Sequence, residues 1–240
     1  MTLIRSAVYV VYLYLTMTLV GLIYLPAVIL FDRKGAAAAA HLWAHLALCG
    51  VRLICGTSYE IRGRENLPKS GALIASKHQA MWETLFFMDL FPDPAIVLKK
   101  ELLALPVYGW YARKLEMISV DREQGASAIR ELGRQGSKAL SEGRTLVIFP
   151  EGTRQEPGAP PDYKPGIALL YRQLGLPCVP TALNSGLFWA GHGILRRPGK
   201  IIIEFLPVIP PGLDRNAFMR ELETRIETAS ARLFAQAKEH

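Results

Sequence analysis

The residues of this chain that could do chemistry gather in two short stretches, Lys77-His78-Gln79-Ala80-Met81-Trp82-Glu83 and Phe149-Pro150-Glu151-Gly152-Thr153-Arg154. Each follows an apolar run that reads as a buried strand, Ala72-Leu73-Ile74-Ala75 in one case and Leu146-Val147-Ile148-Phe149 in the other. Strand ends in an α/β sheet are the usual seat of a site. A histidine with a carboxylate partner is the base half of a hydrolase triad. The acid fixes the imidazole tautomer, and the second ring nitrogen is left to take a proton. Five positions on an ideal helix put two side chains about 140° apart. His78 and Glu83 therefore meet only if His78 lies on the turn leaving the strand and Glu83 in the first helical turns. The plainer readings are a histidine near a helix start and a glutamate that complements the helix dipole.

The second stretch suits an anion. Gly152 lets the backbone turn sharply and expose amide hydrogens, Thr153 adds a hydroxyl, and Arg154 offers a planar fork matched to phosphate oxygens. Two further cationic positions follow strand candidates: Arg122 after Ile118-Ser119-Val120-Asp121, and Lys99-Lys100 after Ile96-Val97-Leu98. The alternative for Glu151 and Arg154 is an ordinary turn with a surface ion pair, which is worth little. A base beside an anion seat is what acyl transfer to the hydroxyl of a phosphorylated acceptor requires.

The elements that must hold these groups can be read from residue 57 onward. Strand patterns cover 59–62, 72–76, 95–98, 117–120, 146–149, 178–183 and 201–206, and helical patterns lie near 81–90, 101–114, 124–142, 166–173 and from 215 to the end. The alternation predicts an α/β fold, a mixed and mostly parallel sheet flanked by helices. The Pro- and Gly-rich stretch 155–163 reads as a loop. The segment Asn184–Trp189 reads as a loop carrying aromatics, with packing favoured over lipid contact.

Residues 1–56 differ in kind. No charged residue occurs from Ser6 to Phe31, a run longer than the roughly 18–20 residues needed to cross a bilayer. A signal peptide would have an apolar core of about 7–15 residues and a small-x-small cleavage site, whereas this run grows more apolar at its end. A second apolar segment, Gly35–Cys55, carries His41, Trp43, His45 and Arg52 at helical spacing, as on one face of an amphipathic helix. Residues 1–56 thus read as membrane-anchoring helices, a hairpin dipping into one leaflet or one span plus an interfacial helix. Residues 57–240 read as the α/β domain.

The net charge of +7 suits anionic headgroups or anionic lipid substrates. No basic stripe interleaved with aromatics and no zinc-finger spacing points to nucleic acid. Cys49, Cys55 and Cys178 form no disulfide framework and read as buried thiols, in keeping with a cytoplasm-facing location.

Together these motifs resemble the glycerolipid acyltransferases, specifically the bacterial 1-acyl-sn-glycerol-3-phosphate acyltransferases. That family has a His, four residues, then a carboxylate; a second block ending in Arg; a third reading Phe-Pro-Glu-Gly-Thr-Arg; and a fourth, an apolar strand with Val-Pro. Here they fall on His78–Glu83, Ile118–Arg122, Phe149–Arg154 and Cys178-Val179-Pro180-Thr181. Glu83 stands where the family usually has Asp, and the second block lacks an initial glycine and has Ser119 at a usually apolar position. The resemblance implies that His78 is the general base and Glu83 its orienting acid. It implies an acceptor site shaped by Arg122, Glu151, Gly152, Thr153 and Arg154, with the arginines and Lys100 on the phosphate, and an acyl or acceptor pocket lined by Val179 and Pro180. It implies lysophosphatidate as acceptor and acyl-CoA or acyl carrier protein as thioester donor, without metal or redox cofactor. The place of action would be the cytoplasmic face of an inner membrane. Other lyso-lipids remain alternative acceptors. A membrane-attached hydrolase or binding module is a further alternative, although no Gly-x-Ser-x-Gly elbow is present.

Overall fold

Short runs rich in Val, Ile and Leu pair into a mixed sheet in a computed structural model that describes residues 1–31, 33–69, 71–105, 107–121 and 125–238. Among the described residues the strands are β1 (Thr57–Arg62), β2 (Leu73–Ser76), β3 (Ala95–Lys99), β4 (Ile118–Val120), β5 (Leu146–Ile148), β6 (Cys178–Leu183) and β7 (Gly199–Phe205). Their spatial order is β1-β7-β6-β2-β5-β3-β4. Neighbours run parallel except β6 and β7, which are antiparallel. Strands β2, β5 and β6 are buried at every residue. This is why they read as continuous apolar runs rather than alternating ones.

The helices are α1 (Thr2–Ile23), α2 (Leu25–Phe31), α3 (Arg33–Gly50), α4 (Trp82–Leu90), α5 (Tyr108–Lys114), α6 (Ala126–Ser141), α7 (Gly166–Leu174) and α8 (Arg215–Lys238). Core residues of α1 to α5 share one cluster with Ile74, Val147 and Val179 of the sheet. Those of α6, α7 and α8 pack with Leu73, Leu146 and Cys178 on the opposite face. Helix α4 is apolar nearly all round because it is wedged between α3 and the sheet. The single helical pattern expected over 101–114 is divided. A 3-10 turn spans Lys100–Ala104, and Leu105 is extended. The chain has Pro106 next, and a residue before proline is driven out of the α region.

Helix α3 continues as a π turn over Val51–Cys55, and Gly56, at φ 74°, starts the chain into β1. Helices α1 and α3 are joined by side chains that bond to backbone. Tyr9 and Tyr12 hydroxyls donate to the carbonyls of Ala47 and Leu46 at 3.1 and 3.0 Å, and Trp43 Nε1 donates to Leu13 O at 3.3 Å. At the other end Gly35 allows α2 and α3 to cross closely, since a Cβ there would lie 2.3 Å from the Ala27 carbonyl oxygen.

Of the polar residues of the second apolar segment, His41 and His45 turn to the α/β domain, Trp43 turns to α1, and Arg52 is exposed. A ring nitrogen of His41 lies 3.2 Å from Met88 O, and His45 Nδ1 lies 3.1 Å from Asp89 Oδ1. Both ends of the hairpin are tied down as well. The Arg196 amide donates to Ser6 Oγ at 2.9 Å, while Arg33 pairs with Asp93 at 3.2 Å and with Glu142. The two helices thus pack on each other and along the α/β domain. The outer face of the hairpin, with Leu3, Ile4, Val11, Leu15, Leu22, Ile29 and Leu30, is exposed.

Candidate active site

Helix α4 leaves β2 toward one face of the sheet, while α7, which follows β5, packs on the other. Since β2 and β5 are neighbours, their C-terminal ends flank a crevice of the kind open α/β sheets use for ligands. The two motif stretches meet here.

His78 lies on the turn after β2, and Glu83 is in the first turn of α4. His78 Nδ1 is 2.9 Å from Glu83 Oε1. A neutral imidazole with a carboxylate at Nδ1 carries its proton there, an assignment made from the partner, so Nε2 is the proton acceptor. The ring stacks on Phe149 with centroids 4.1 Å apart and planes at 21°. Stacking on one side and the carboxylate at its edge leave the ring little freedom to turn.

Glu83 is fully buried, and burial of a carboxylate demands partners for its lone pairs. It has them. The amides of Gln79 and Ala80 donate to Oε1 at 2.5 and 2.7 Å, and Ser185 Oγ donates to Oε2 at 2.9 Å. The additional methylene of Glu lets one carboxylate reach the turn, the ring and a hydroxyl from the segment after β6. Gln79 ties the same segment from the other side by accepting the Gly186 amide at 3.0 Å.

The third motif turns at Gly152, which has φ 69° and donates its amide to Phe149 O at 2.9 Å. Thr153 and Arg154 are exposed. Arg154 Nη1 donates to Gly191 O at 2.5 Å, and Gln155 N donates to His78 O at 2.8 Å, so this loop is bonded to the base's own turn. Lys100 stands past β3 on the same edge of the sheet, with Nζ 3.0 Å from Asp121 Oδ2. Arg122, expected on the phosphate, lies outside the described residues.

Three expectations need correction. Glu151 does not face an acceptor. It is completely buried and pairs with Lys77 Nζ at 2.7 Å, while its Oε2 accepts the His78 amide at 3.4 Å. An anion in that place organises the strand ends and cannot itself hold a phosphate. Burial pushes its carboxyl above the usual range, and the Lys77 ammonium opposes that shift. Val179 and Pro180 do not line the apolar pocket between the helices: both are buried in β6, and Val179 packs in the core under α1 to α5. Cys55 and Cys178 are buried thiols, but Cys49 is only half-buried. The favoured packing role of the aromatic loop is what the structure has for Trp189, which is buried against Arg196 at 4.1 Å and Tyr9 at 5.5 Å.

Sequence reasoning missed Lys77, Ser185, Gln79 and Glu227. Lys77 carried a signal, a lysine at the end of a strand buried on both faces. Ser185 and Glu227 carried none, since their partners are 102 and 150 positions away. An apolar pocket was also unread. It is lined by Met17, Gly21, Ala40, Trp43, Met88 and Tyr108 among others, between α1, α3, α4 and α5.

Comparison with known proteins agrees with this geometry. The acyltransferase family model matches residues 58–184. A 1-acyl-sn-glycerol-3-phosphate acyltransferase of Pseudomonas aeruginosa is 37% identical over 185 residues, covering 77% of this chain and 72% of that protein. One from Limnanthes alba is 31% identical over 171 residues, covering 70% of this chain and 60% of the plant protein. A crystal structure described as the 1-acyl-sn-glycerophosphate acyltransferase of Thermotoga maritima superposes with a TM-score of 0.80 at 20% identity, covering 98% of each chain, and so shares the fold. With these relatives and the motif residues joined at one crevice, the chain belongs to the 1-acyl-sn-glycerol-3-phosphate acyltransferase family.

Proposed function

We propose that this enzyme transfers a fatty acyl group from a thioester to the 2-hydroxyl of 1-acylglycerol-3-phosphate, giving phosphatidate. The observation that carries the reading is the His78–Glu83–Ser185 relay at the end of β2, bonded to the loop that presents Arg154. His78 Nε2 takes the proton of the acceptor hydroxyl as its oxygen attacks the thioester carbon. Glu83 stabilises the imidazolium formed. Collapse of the tetrahedral adduct breaks the C–S bond, and the imidazolium returns the proton to the departing thiolate. Base catalysis of this kind contributes about 10²–10⁴-fold. A thioester is already activated, so the reaction as written draws on no further cofactor. Arg154, with Arg122 and Lys100, would hold the acceptor's phosphate.

The apolar lining of the pocket suits a hydrocarbon chain, and its Met88, five positions from Glu83 on α4, projects about 140° around the axis from the catalytic carboxylate. The exposed apolar face of the hairpin supports attachment to a bilayer, where the lyso-lipid acceptor would reside. The cytoplasmic leaflet of the inner membrane is the expected side, because acyl-CoA and acyl carrier protein are found there. Membranes containing the enzyme, given lysophosphatidate with acyl-CoA or with acyl carrier protein thioester, should form phosphatidate, while lyso-lipids lacking the phosphate should react poorly. His78→Ala should abolish turnover and leave lysophosphatidate binding largely intact. Activity surviving that change would refute the base assignment.

A further inference from the structure

We propose that Lys77 and Glu227 are positioning residues of the acyl-transfer centre, and that through them the C-terminal helix α8 sets the relation between the base and the anion loop. This rests on the function proposed above. Lys77 is a lysine with 3% of its side chain exposed, in a chain where most cations are at the surface. Its ammonium bridges Glu151 Oε1 at 2.7 Å and Glu227 Oε1 at 2.8 Å. It therefore joins the end of β2, the end of β5 and helix α8 at one nitrogen. Glu151 in turn accepts the backbone amide of His78. The catalytic ring and the Gly-Thr-Arg loop thus flank one buried ion cluster, whose third member lies 43 residues beyond the end of the family-model match at 184.

The cluster is built rather than incidental. Tyr163, from the loop before α7, donates its hydroxyl to Glu227 Oε1 at 2.7 Å, and Lys77 lies 5.9 Å from that ring's centroid. Burial and the neighbouring Glu227 hold the Tyr163 hydroxyl above its ordinary range, so it stays a donor. The groups facing Glu151 are then Lys77 and His78 from the β2 end, Tyr163 from its loop, and Glu227 from α8, with Glu223 of α8 acting on Tyr163. One cation holds two anions in low dielectric. Removing the cation disfavours the charged form of Glu151, and removing Glu227 favours it. The two changes push the local titration in opposite directions, which loss of packing alone would not do.

The test compares Lys77→Met and Glu227→Gln in the full-length enzyme. Lys77→Met should lower kcat about 10- to 100-fold, as misplacement of a reacting group does, with KM for lysophosphatidate nearly unchanged. The acid limb of its pH–rate profile should move up by about one pH unit, and that of Glu227→Gln should move down. The double variant Lys77→Met/Glu151→Gln removes both buried charges. It should recover thermal stability, as neutral replacement of buried pairs does, without recovering kcat. Should Lys77→Met not fold, Glu227→Gln carries the test alone, because Glu227 is partly exposed. The titration of the Glu151 carboxyl by NMR gives the same comparison without substrate. Wild-type kcat with unmoved limbs, or an unmoved carboxyl titration in both single variants, overturns the positioning role. A wild-type enzyme that forms no phosphatidate overturns the acceptor assignment, and the carboxyl titration still decides this one.

Discussion

Glu83 shows how one residue's length can set a site. Its carboxylate serves His78 on one oxygen and Ser185 on the other while accepting two turn amides. Asp at this position would withdraw the carboxylate by one methylene and could not keep all four donors. Glu83→Asp should therefore lower kcat by about tenfold, corresponding to ~1.4 kcal/mol of lost transition-state stabilisation, with KM values little changed. Ser185→Ala should act in the same direction, since a hydrogen bond to a charged group is worth about 1.5–3 kcal/mol. Steady-state kinetics on both variants would check this: wild-type kcat in Glu83→Asp would mean that the shorter acid serves His78 equally well, and wild-type kcat in Ser185→Ala would mean that the relay ends at Glu83. Arg154→Ala belongs to a different class. It should raise KM for the phosphorylated acceptor by more than that for the thioester, and an equal rise in both would remove it from the phosphate.

At the level of elements, the site depends on strand ends and on the helices that fix them. Helix α8 starts on Asp214, which accepts the amides of Asn216 and Ala217 at 2.8 and 2.9 Å. It then buries Phe218, Leu222, Ile226 and Leu233 against the sheet. Ile226→Ala should cost about 2–5 kcal/mol of stability by opening a cavity, measured by denaturant unfolding, and should loosen the helix turn that carries Glu227. At the α2–α3 crossing, Gly35→Ala has no room. It should destabilise the hairpin by about 1–3 kcal/mol through overpacking, which a thermal melt in detergent would register. A melting temperature equal to wild type would mean that the crossing relaxes without cost.

The whole molecule has two different surfaces. The face of α6, α7 and α8 covers the sheet and turns polar side chains outward, whereas the hairpin turns an apolar face away from the core. Exposed apolar area of that extent marks an interaction site on a soluble protein, and here it lies on the chain's most apolar segment. Val11→Glu with Leu15→Glu, both more than half exposed, should reduce co-flotation with anionic liposomes while leaving the melting temperature in detergent close to wild type. Raised salt should weaken residual binding, because the remaining attraction is the basic surface for anionic headgroups. Unchanged flotation would shift membrane contact to another face.

The amino-acid pattern alone carried the strand runs, most of the helices and the pairing of His78 with Glu83, because each is local: period, punctuation and a turn of known geometry suffice. Helix 101–114 failed in part, since the restriction before Pro106 outweighed its apolar spacing. What no local pattern carries is the order of strands. Val179 and Pro180 sit in an apolar strand, and the central place of β6 with helices packed over both faces of the sheet makes them interior. The same order brings Ser185 to Glu83 across 102 positions and Lys77 to Glu227 across 150. Glu151 reads as a ligand beside Arg154 on paper and becomes a buried counterion in space. A residue's type states which bonds it can make, but burial and neighbours far along the chain choose among them.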